Sequence, residues 1–432
     1  MDKKRKTITF RMFELAHKEK NGNALITIPD LTNGFDAGLE TWWKGMEPVS
    51  FYTPGCVRQG IYKIHIRLRA IEDTGSTFLF TGRKQLQDIL YMQKGETLER
   101  EYYQVVSEYV PRYRHHAYMV ERLFLTVCTA DKNTVAVEAC TAQECAVHES
   151  VSRNPAGKCT VQEQPVPRVF LCGDSTVADQ CGEIPYEPGA CYASWGQALP
   201  AFLGLNAAVD NQAHSGNTTE TFRNDGHFAL VQHHMGPGDL CLFQFGHNDQ
   251  KRAYLQPEKE YRRNLLRFIE EVNRAGAVPV LVTPLGRNMW SADGTYFDLL
   301  EEYADMVRRI GEETGTRVID LHIHSVDFYK EKGKEVARGY FHPGDSTHTN
   351  EYGAYLFAAF IAEKLAEYFP DIFPEIRTGV DFKPQGNLWE ELAAETNRKE
   401  GSGEAEVWDR VEKSEAELIK AVMKAREESR YI

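Results

Sequence analysis

The chain has 432 residues and a formal net charge of −13, with 42% hydrophobic and 26% charged side chains. That length predicts two or three cores, and the composition is that of a globular chain able to bury them. The acidic balance argues against a nucleic-acid partner, because a protein that grips phosphates needs a basic field.

No apolar run approaches the roughly 20 residues of a membrane span. The start Met1-Asp2-Lys3-Lys4-Arg5-Lys6 leads straight into strand-like alternation instead of a signal-peptide core, which predicts a cytoplasmic protein with no membrane partner. Nine cysteines cannot all pair within one chain. Cys128, Cys172 and Cys241 sit in apolar runs as small core residues, so reduced thiols are expected, with a Cys181–Cys191 disulfide left open.

Residues 1–150 read as β-structure. Ile8, Phe10 and Met12 alternate with polar residues, as do Tyr62, Ile64, Ile66 and Leu68 against Lys63, His65, Arg67 and Arg69. Leu123, Leu125 and Val127 continue the pattern, which resumes at Val135 and Val137 after the turn Asp131-Lys132-Asn133. A half-buried antiparallel β-sandwich fits this reading. Its aromatics Trp42, Trp43, Tyr102, Tyr103, Tyr109 and Tyr113 are read as packing residues in preference to sugar platforms. Residues 151–167 have no periodicity and three prolines, and read as a linker.

From 168 to 372 the character changes. Strand-like runs at 168–172, 207–210, 240–245, 278–283 and 317–321 alternate with helix patterns near 195–203, 219–235, 258–275, 297–313 and 351–368. This predicts a three-layer, doubly wound α/β/α domain of about five parallel strands. From 373 to 432 the chain is rich in Glu, Lys and Ala and reads as a helical extension. Ser414 and Glu417 form a capping box ahead of Leu418, Ile419, Val422 and Met423, so an amphipathic helix is expected to pack on a neighbouring surface or on a second subunit of a homo-oligomer.

The tetrapeptide Gly-Asp-Ser-Thr occurs at 173–176 and again at 344–347, in unlike settings. The first copy follows the apolar run Val169-Phe170-Leu171-Cys172, which delivers Ser175 at the carboxyl end of a buried parallel strand, where open α/β sheets place ligands. The second follows no strand, and its value lies in Asp345 and in His348 three residues on. Acyl transfer needs a nucleophile, a base, a group that holds the base, and donors for the oxyanion. Ser175 is the candidate nucleophile and, through its own N–H, the first donor. Asp345 and His348 supply the other two side chains. Gly216 after the second strand and Asn248 after the third are the remaining oxyanion donors. Because the motif is not Gly-x-Ser-x-Gly, the α/β-hydrolase elbow is not expected.

These four segments resemble the four blocks of the SGNH, or GDSL-like, hydrolase superfamily, and within it the rhamnogalacturonan acetylesterase family of carbohydrate esterases. The resemblance covers about 168–370 and rests on Gly173-Asp174-Ser175-Thr176, Trp195-Gly196-Gln197, Phe245-Gly246-His247-Asn248-Asp249, and Asp345-Ser346-Thr347-His348-Thr349-Asn350 before Glu351-Tyr352-Gly353-Ala354. It implies a flavodoxin-like SGNH domain, preceded by a galactose-binding-like sandwich, with Ser175, Asp345 and His348 as triad and Ser175, Gly216 and Asn248 as oxyanion hole. His247, Trp195 and Arg223 are the expected substrate-binding residues. The implied activity is removal of O-acetyl groups from a complex carbohydrate, a rhamnogalacturonan or pectin-type oligosaccharide, without metal or organic cofactor. The rivals are a lipid esterase, lysophospholipase or thioesterase of the same superfamily, and an inert glycan-binding protein. The polar and aromatic loop 181–194, with Tyr186 and Tyr192, suits sugars better than acyl chains.

One departure bears on substrate. After Gly216 this chain has Asn217-Thr218-Thr219-Glu220 in place of the family's arginine, serine pair and basic residue. A uronate near Glu220 would need a compensating cation, and Arg223, Lys251, Arg252 and Arg287 are the candidates. His322 and His324, placed on one face of the fifth strand, and the adjacent His233 and His234 read as structural in preference to metal ligands.

Overall fold

The structure, a computed structural model, describes residues 8–9, 11–13, 34–37, 45–110, 116–131, 133–145, 165–291, 293–386 and 405–429. The readings made for Trp42, Trp43, Tyr113 and most of the linker lie outside these residues.

Five short apolar segments form one parallel sheet: Arg168–Gly173, Ala208–Asn211, Leu240–Gln244, Val278–Val282 and Arg317–Ile319. Every residue of the first three is buried, as expected of strands covered on both faces. Alternate side chains serve opposite cores. Val169, Leu171, Leu242 and Val280 enter one; Phe170, Cys172, Cys241 and Phe243 enter the other. The spatial order is second, first, third, fourth, fifth. This is the doubly wound, flavodoxin-like order, in which the switch of winding falls beside the first strand and opens a crevice at the strands' carboxyl ends.

The helix Glu351–Tyr368 shows how local sequence sets an element. Asn350 caps it, its side-chain oxygen accepting from Tyr352 N and Gly353 N. Phe357, Ile361 and Leu365 recur at helical spacing and are fully buried, each worth about 1.5–3 kcal/mol of apolar burial. Pro370 follows its last turn.

Two local readings are corrected. His322 and His324 are not on the fifth strand, which stops at Ile319; they lie on the helix Leu321–Lys332, because the Asp320 side chain caps it by accepting from Ile323 N. Ser414 is not an N-cap, since the C-terminal helix Ala405–Ser429 begins well before it. That helix packs on this same chain, with Val422, Leu418 and Ile419 against Met289, Leu299 and Phe297. Among the described residues no helix is long and apolar enough to cross a membrane.

The N-terminal part contains a four-stranded and a five-stranded antiparallel sheet. Between them Ile64, Ile66, Leu68 and Tyr102 from one sheet meet Leu79, Leu125 and Val127 from the other. On the outer face of Gly60–Ala70, Lys63 pairs with Glu101 (3.0 Å) and Arg69 with Glu138 (2.6 Å), so the alternation of the sequence separates core from charge. The first apolar alternation divides: Ile8 pairs with Ala142 in the four-stranded sheet, Met12 with Phe51 in the five-stranded one.

These sheets abut the α/β layer. Arg83 reaches Asn211 O (2.9 Å) and Asp179 (3.2 Å), Ser107 bonds Asp210 (2.9 Å), and Phe35–Ala37 pairs in parallel with Gly182–Ile184. Tyr186 of that loop is fully buried among Phe35, Phe78 and Phe80, so it is a packing residue and not a sugar contact.

Candidate active site

The first strand ends in a tight turn. Val177 N and Ala178 N both donate to Asp174 O, and the Asp174 carboxylate accepts from Thr176 N (2.9 Å) and Thr176 Oγ1 (2.8 Å). Thr176 in turn accepts from Gln244 Nε2, and Gln244 Oε1 accepts from Trp195 Nε1 (2.7 Å). A buried polar chain therefore runs from Trp195 through Gln244 and Thr176 to Asp174, and it holds the backbone that presents Ser175. Every link is shielded from water, so loss of one partner leaves another unsatisfied.

Ser175 Oγ lies 2.8 Å from His348 Nε2, and His348 Nδ1 lies 2.7 Å from Asp345 Oδ2. With the carboxylate accepting the Nδ1–H, the Nε2 lone pair is left to accept from the serine hydroxyl. Asp345 also accepts from Thr347 N (2.6 Å) and His348 N (3.0 Å). Burial alone would raise the Asp345 pKa, but His348 and these donors bring it down to about 2, so the carboxylate stays charged beside the ring. The loop closes on itself through His342 N to His348 O (2.9 Å), and Asn350 Nδ2 donates to Gly339 O and Phe341 O (both 2.9 Å). Tyr192 stacks on His342 (3.6 Å between ring centroids) and meets His348 edge-on (5.7 Å).

Gly216 follows the second strand and Asn248 the third, and their loops meet at the Asn248–Asn217 hydrogen bond. Gly216 has φ +86°, and a Cβ there would meet nothing within 4 Å, so the backbone angle and not space calls for glycine. Asn248 Nδ2 donates to Asn217 O (3.1 Å), and its Oδ1 accepts from Lys251 Nζ (3.1 Å). One amide N–H is thus committed to the second loop while a cation grips the amide oxygen. Desolvation and the nearby Arg287 push the Lys251 ammonium down to about 8. Asp249 is fully buried, accepts from Thr219 N (3.0 Å) and Thr219 Oγ1 (2.6 Å), and is pushed up to about 7 by burial.

None of the three expected substrate-binding side chains is free to meet a substrate: two are buried, and Arg223 is held in an ion pair. Trp195 is 1% exposed and committed to Gln244. His247 is also 1% exposed, its Nδ1 3.4 Å from Asp174 Oδ2; burial pushes it towards the neutral ring beside an ionised Asp174. Arg223 pairs with Glu271 (2.9 Å) and lies over the rings of Phe268 and Phe228, so it does not offset Glu220, which accepts from Tyr254 Oη. Arg287 is likewise no free cation for a uronate. It is buried, donates to Thr347 Oγ1 and His247 O (3.1 Å), and so ties the third-strand loop to the loop of His348. Asn288 N, next in sequence, donates to Ser346 O (2.8 Å). The sequence offers Arg287 only as a cation for a uronate; the signal for this structural role is its place on the loop that follows the strand Val278–Val282.

His322 has two carboxylates beside it. Its Nε2 lies 3.2 Å from Asp298 Oδ1 and its Nδ1 3.3 Å from Glu301 Oε2. Arg308 already holds Glu301 (2.9 Å) and Asp320 (2.7 Å) at this spot, so the cluster has its cation. His324 stacks on Phe360.

The family model described as GDSL-like Lipase/Acylhydrolase matches residues 171–353. Rhamnogalacturonan acetylesterase RhgT of Bacillus subtilis is 34% identical over 213 residues, which span 46% of this chain and 90% of that protein. The uncharacterized esterase YxiM of the same organism is 30% identical over 48% of this chain and 54% of its own length. Rhamnogalacturonan acetylesterase of Emericella nidulans is 22% identical over 43% and 79%. Among solved structures, YXIM_BACsu from Bacillus subtilis has a TM-score of 0.44 at 23% identity, covering 74% of this chain and 80% of that one. The chain belongs to the GDSL-like lipase/acylhydrolase family and is an esterase of the SGNH type, related to the rhamnogalacturonan acetylesterases.

Proposed function

We propose that this esterase removes O-acetyl groups from a complex carbohydrate, of rhamnogalacturonan type, through an acetyl-enzyme on Ser175. The observation that carries the reading is the hydrogen-bonded series Ser175–His348–Asp345, at 2.8 and 2.7 Å, at the crevice beside the first parallel strand. In this reading Ser175 Oγ attacks the acetyl carbonyl and its proton passes to His348 Nε2. The imidazolium returns that proton to the sugar oxygen as the C–O bond breaks, and Asp345 stabilises the transient charge. Water then repeats the sequence and releases acetate. Ser175 N, Gly216 N and the second N–H of Asn248 Nδ2 are the donors for the oxyanion. RhgT and the Emericella nidulans relative, both named rhamnogalacturonan acetylesterases, support the substrate class.

Acetate release from a panel of acetylated oligosaccharides tests the substrate. Chain-length preference on nitrophenyl esters tests the acyl group: the rate is expected to fall from acetyl to octanoyl, and a rise would sink the carbohydrate reading in favour of a lipid esterase.

A further inference from the structure

A cleft of about 460 Å³ lies beside the loop of His348, between the N-terminal sheets and the hydrolase layer. Its size falls within the range of small-ligand sites, roughly 300–1,000 Å³. It begins two ring contacts away from the His348 imidazole: Tyr192 meets His348 edge-on, His342 stacks under Tyr192, and Pro343, next in sequence, lines the cleft. We propose that this cleft is a subsite for a neutral stretch of the glycan beyond the acetylated sugar, an inference that rests on the carbohydrate-esterase reading above.

The lining has the chemistry for it. Tyr91 is 52% exposed, and its hydroxyl lies 3.1 Å from Ser76 Oγ, so the ring is held by its polar end with its apolar body towards solvent. Tyr352 and Phe382 face the same space, 4.5 Å apart at their centroids and tilted 40°. Such rings offer large rigid contact area at small entropic cost, which suits the apolar faces of sugar rings. Gly189 keeps the cleft open against Tyr352: its φ is +97°, and a Cβ there would stand 2.6 Å from Tyr352 Cε2. The charges select against acids. Lys383, the one cation among the described lining residues, is already paired with Asp381 (2.7 Å), so the described lining offers a uronate no uncommitted cation.

The test compares Tyr91→Ala and Tyr91→Phe on p-nitrophenyl acetate, on acetylated neutral oligosaccharides such as xylo-oligosaccharides, and on acetylated galacturonan oligosaccharides. For the neutral series Tyr91→Ala is expected to raise KM about tenfold with kcat within about twofold, and Tyr91→Phe, which keeps the ring but not its bond to Ser76, to recover most of that loss. Neither variant should change kcat/KM on p-nitrophenyl acetate or KM on the galacturonan series. A Tyr91→Ala protein that deacetylates neutral oligosaccharides with unchanged KM overturns the subsite, as does an equal loss on p-nitrophenyl acetate. A wild-type protein that hydrolyses p-nitrophenyl acetate but releases no acetate from any glycan overturns the carbohydrate-esterase reading itself, and the subsite with it.

Discussion

Lys84 is the side chain whose removal should be felt furthest from its own position. It lies between the strands Thr77–Thr81 and Gln85–Leu90, with φ +61°, and is 1% exposed. Its ammonium lies 3.2 Å from Glu351 Oε1, while Glu351 Oε2 accepts from Gly189 N (2.8 Å). Through Glu351 the ion pair and this hydrogen bond join the N-terminal sheets, the loop that carries Gly189, and the helix that starts three residues after His348. Burial alone would strip the proton from Lys84, but Glu351 restores it and holds the pKa above the usual lysine range. At 3.2 Å and an effective dielectric of about 20, the attraction is about 5 kcal/mol. Breaking a buried pair by deleting one partner costs about 3–5 kcal/mol, because the other charge is stranded. Glu351 keeps its bond from Gly189 and a helix N-terminus, which places Lys84→Met at the lower end and Glu351→Gln at the upper. Thermal unfolding followed by near-ultraviolet circular dichroism should register a drop of about 6–20 °C for either variant, taking about 2–4 °C per kcal/mol. The double variant Lys84→Met/Glu351→Gln should recover more than half of the summed loss. Strictly additive losses, or a Lys84→Met protein as stable as wild type, would refute the clamp.

Three further outcomes follow from the site. Asn248→Ala should lower kcat on p-nitrophenyl acetate by about 10²–10³ with little change in KM, and an unaltered kcat removes Asn248 from the oxyanion hole. Ser175→Ala should abolish ester hydrolysis while Ser346→Ala keeps most of it, since Ser346 takes no part in the Ser175–His348–Asp345 series; comparable losses would overturn the assignment. Asp249 has its pKa raised to about 7 by burial. Its contribution to stability is therefore complete below about pH 4 and is lost as pH rises through the folded-state value. Asp249→Asn keeps an acceptor for Thr219 and removes the titration, so the melting-temperature advantage of the variant over wild type should be larger at pH 8 than at pH 5. A difference that is flat with pH contradicts the buried, proton-binding carboxyl.

The parallel sheet was legible because its strands are unbroken apolar runs, such as Val169-Phe170-Leu171-Cys172, that stop abruptly at polar residues; those residues are the ones a strand end presents. The spacing of Asp345 and His348 was equally readable, since both lie on one short loop. What failed depended on partners distant in sequence. Trp195 and Arg223 look like binding residues until Gln244 and Glu271 are found holding them. His322 and His324 alternate as a strand would, yet Asp320 caps a helix just before them. The Lys84–Glu351 pair spans 267 positions, and no local pattern announces it.

The most direct test of the account is covalent labelling of Ser175 by a serine-directed phosphonate, read by peptide mass spectrometry alongside loss of esterase activity. The account predicts one adduct per active chain, on the peptide carrying Ser175, and none on the Ser175→Ala protein. Inactivation with the adduct on another residue, or a Ser175→Ala protein that is still labelled and still active, would contradict it.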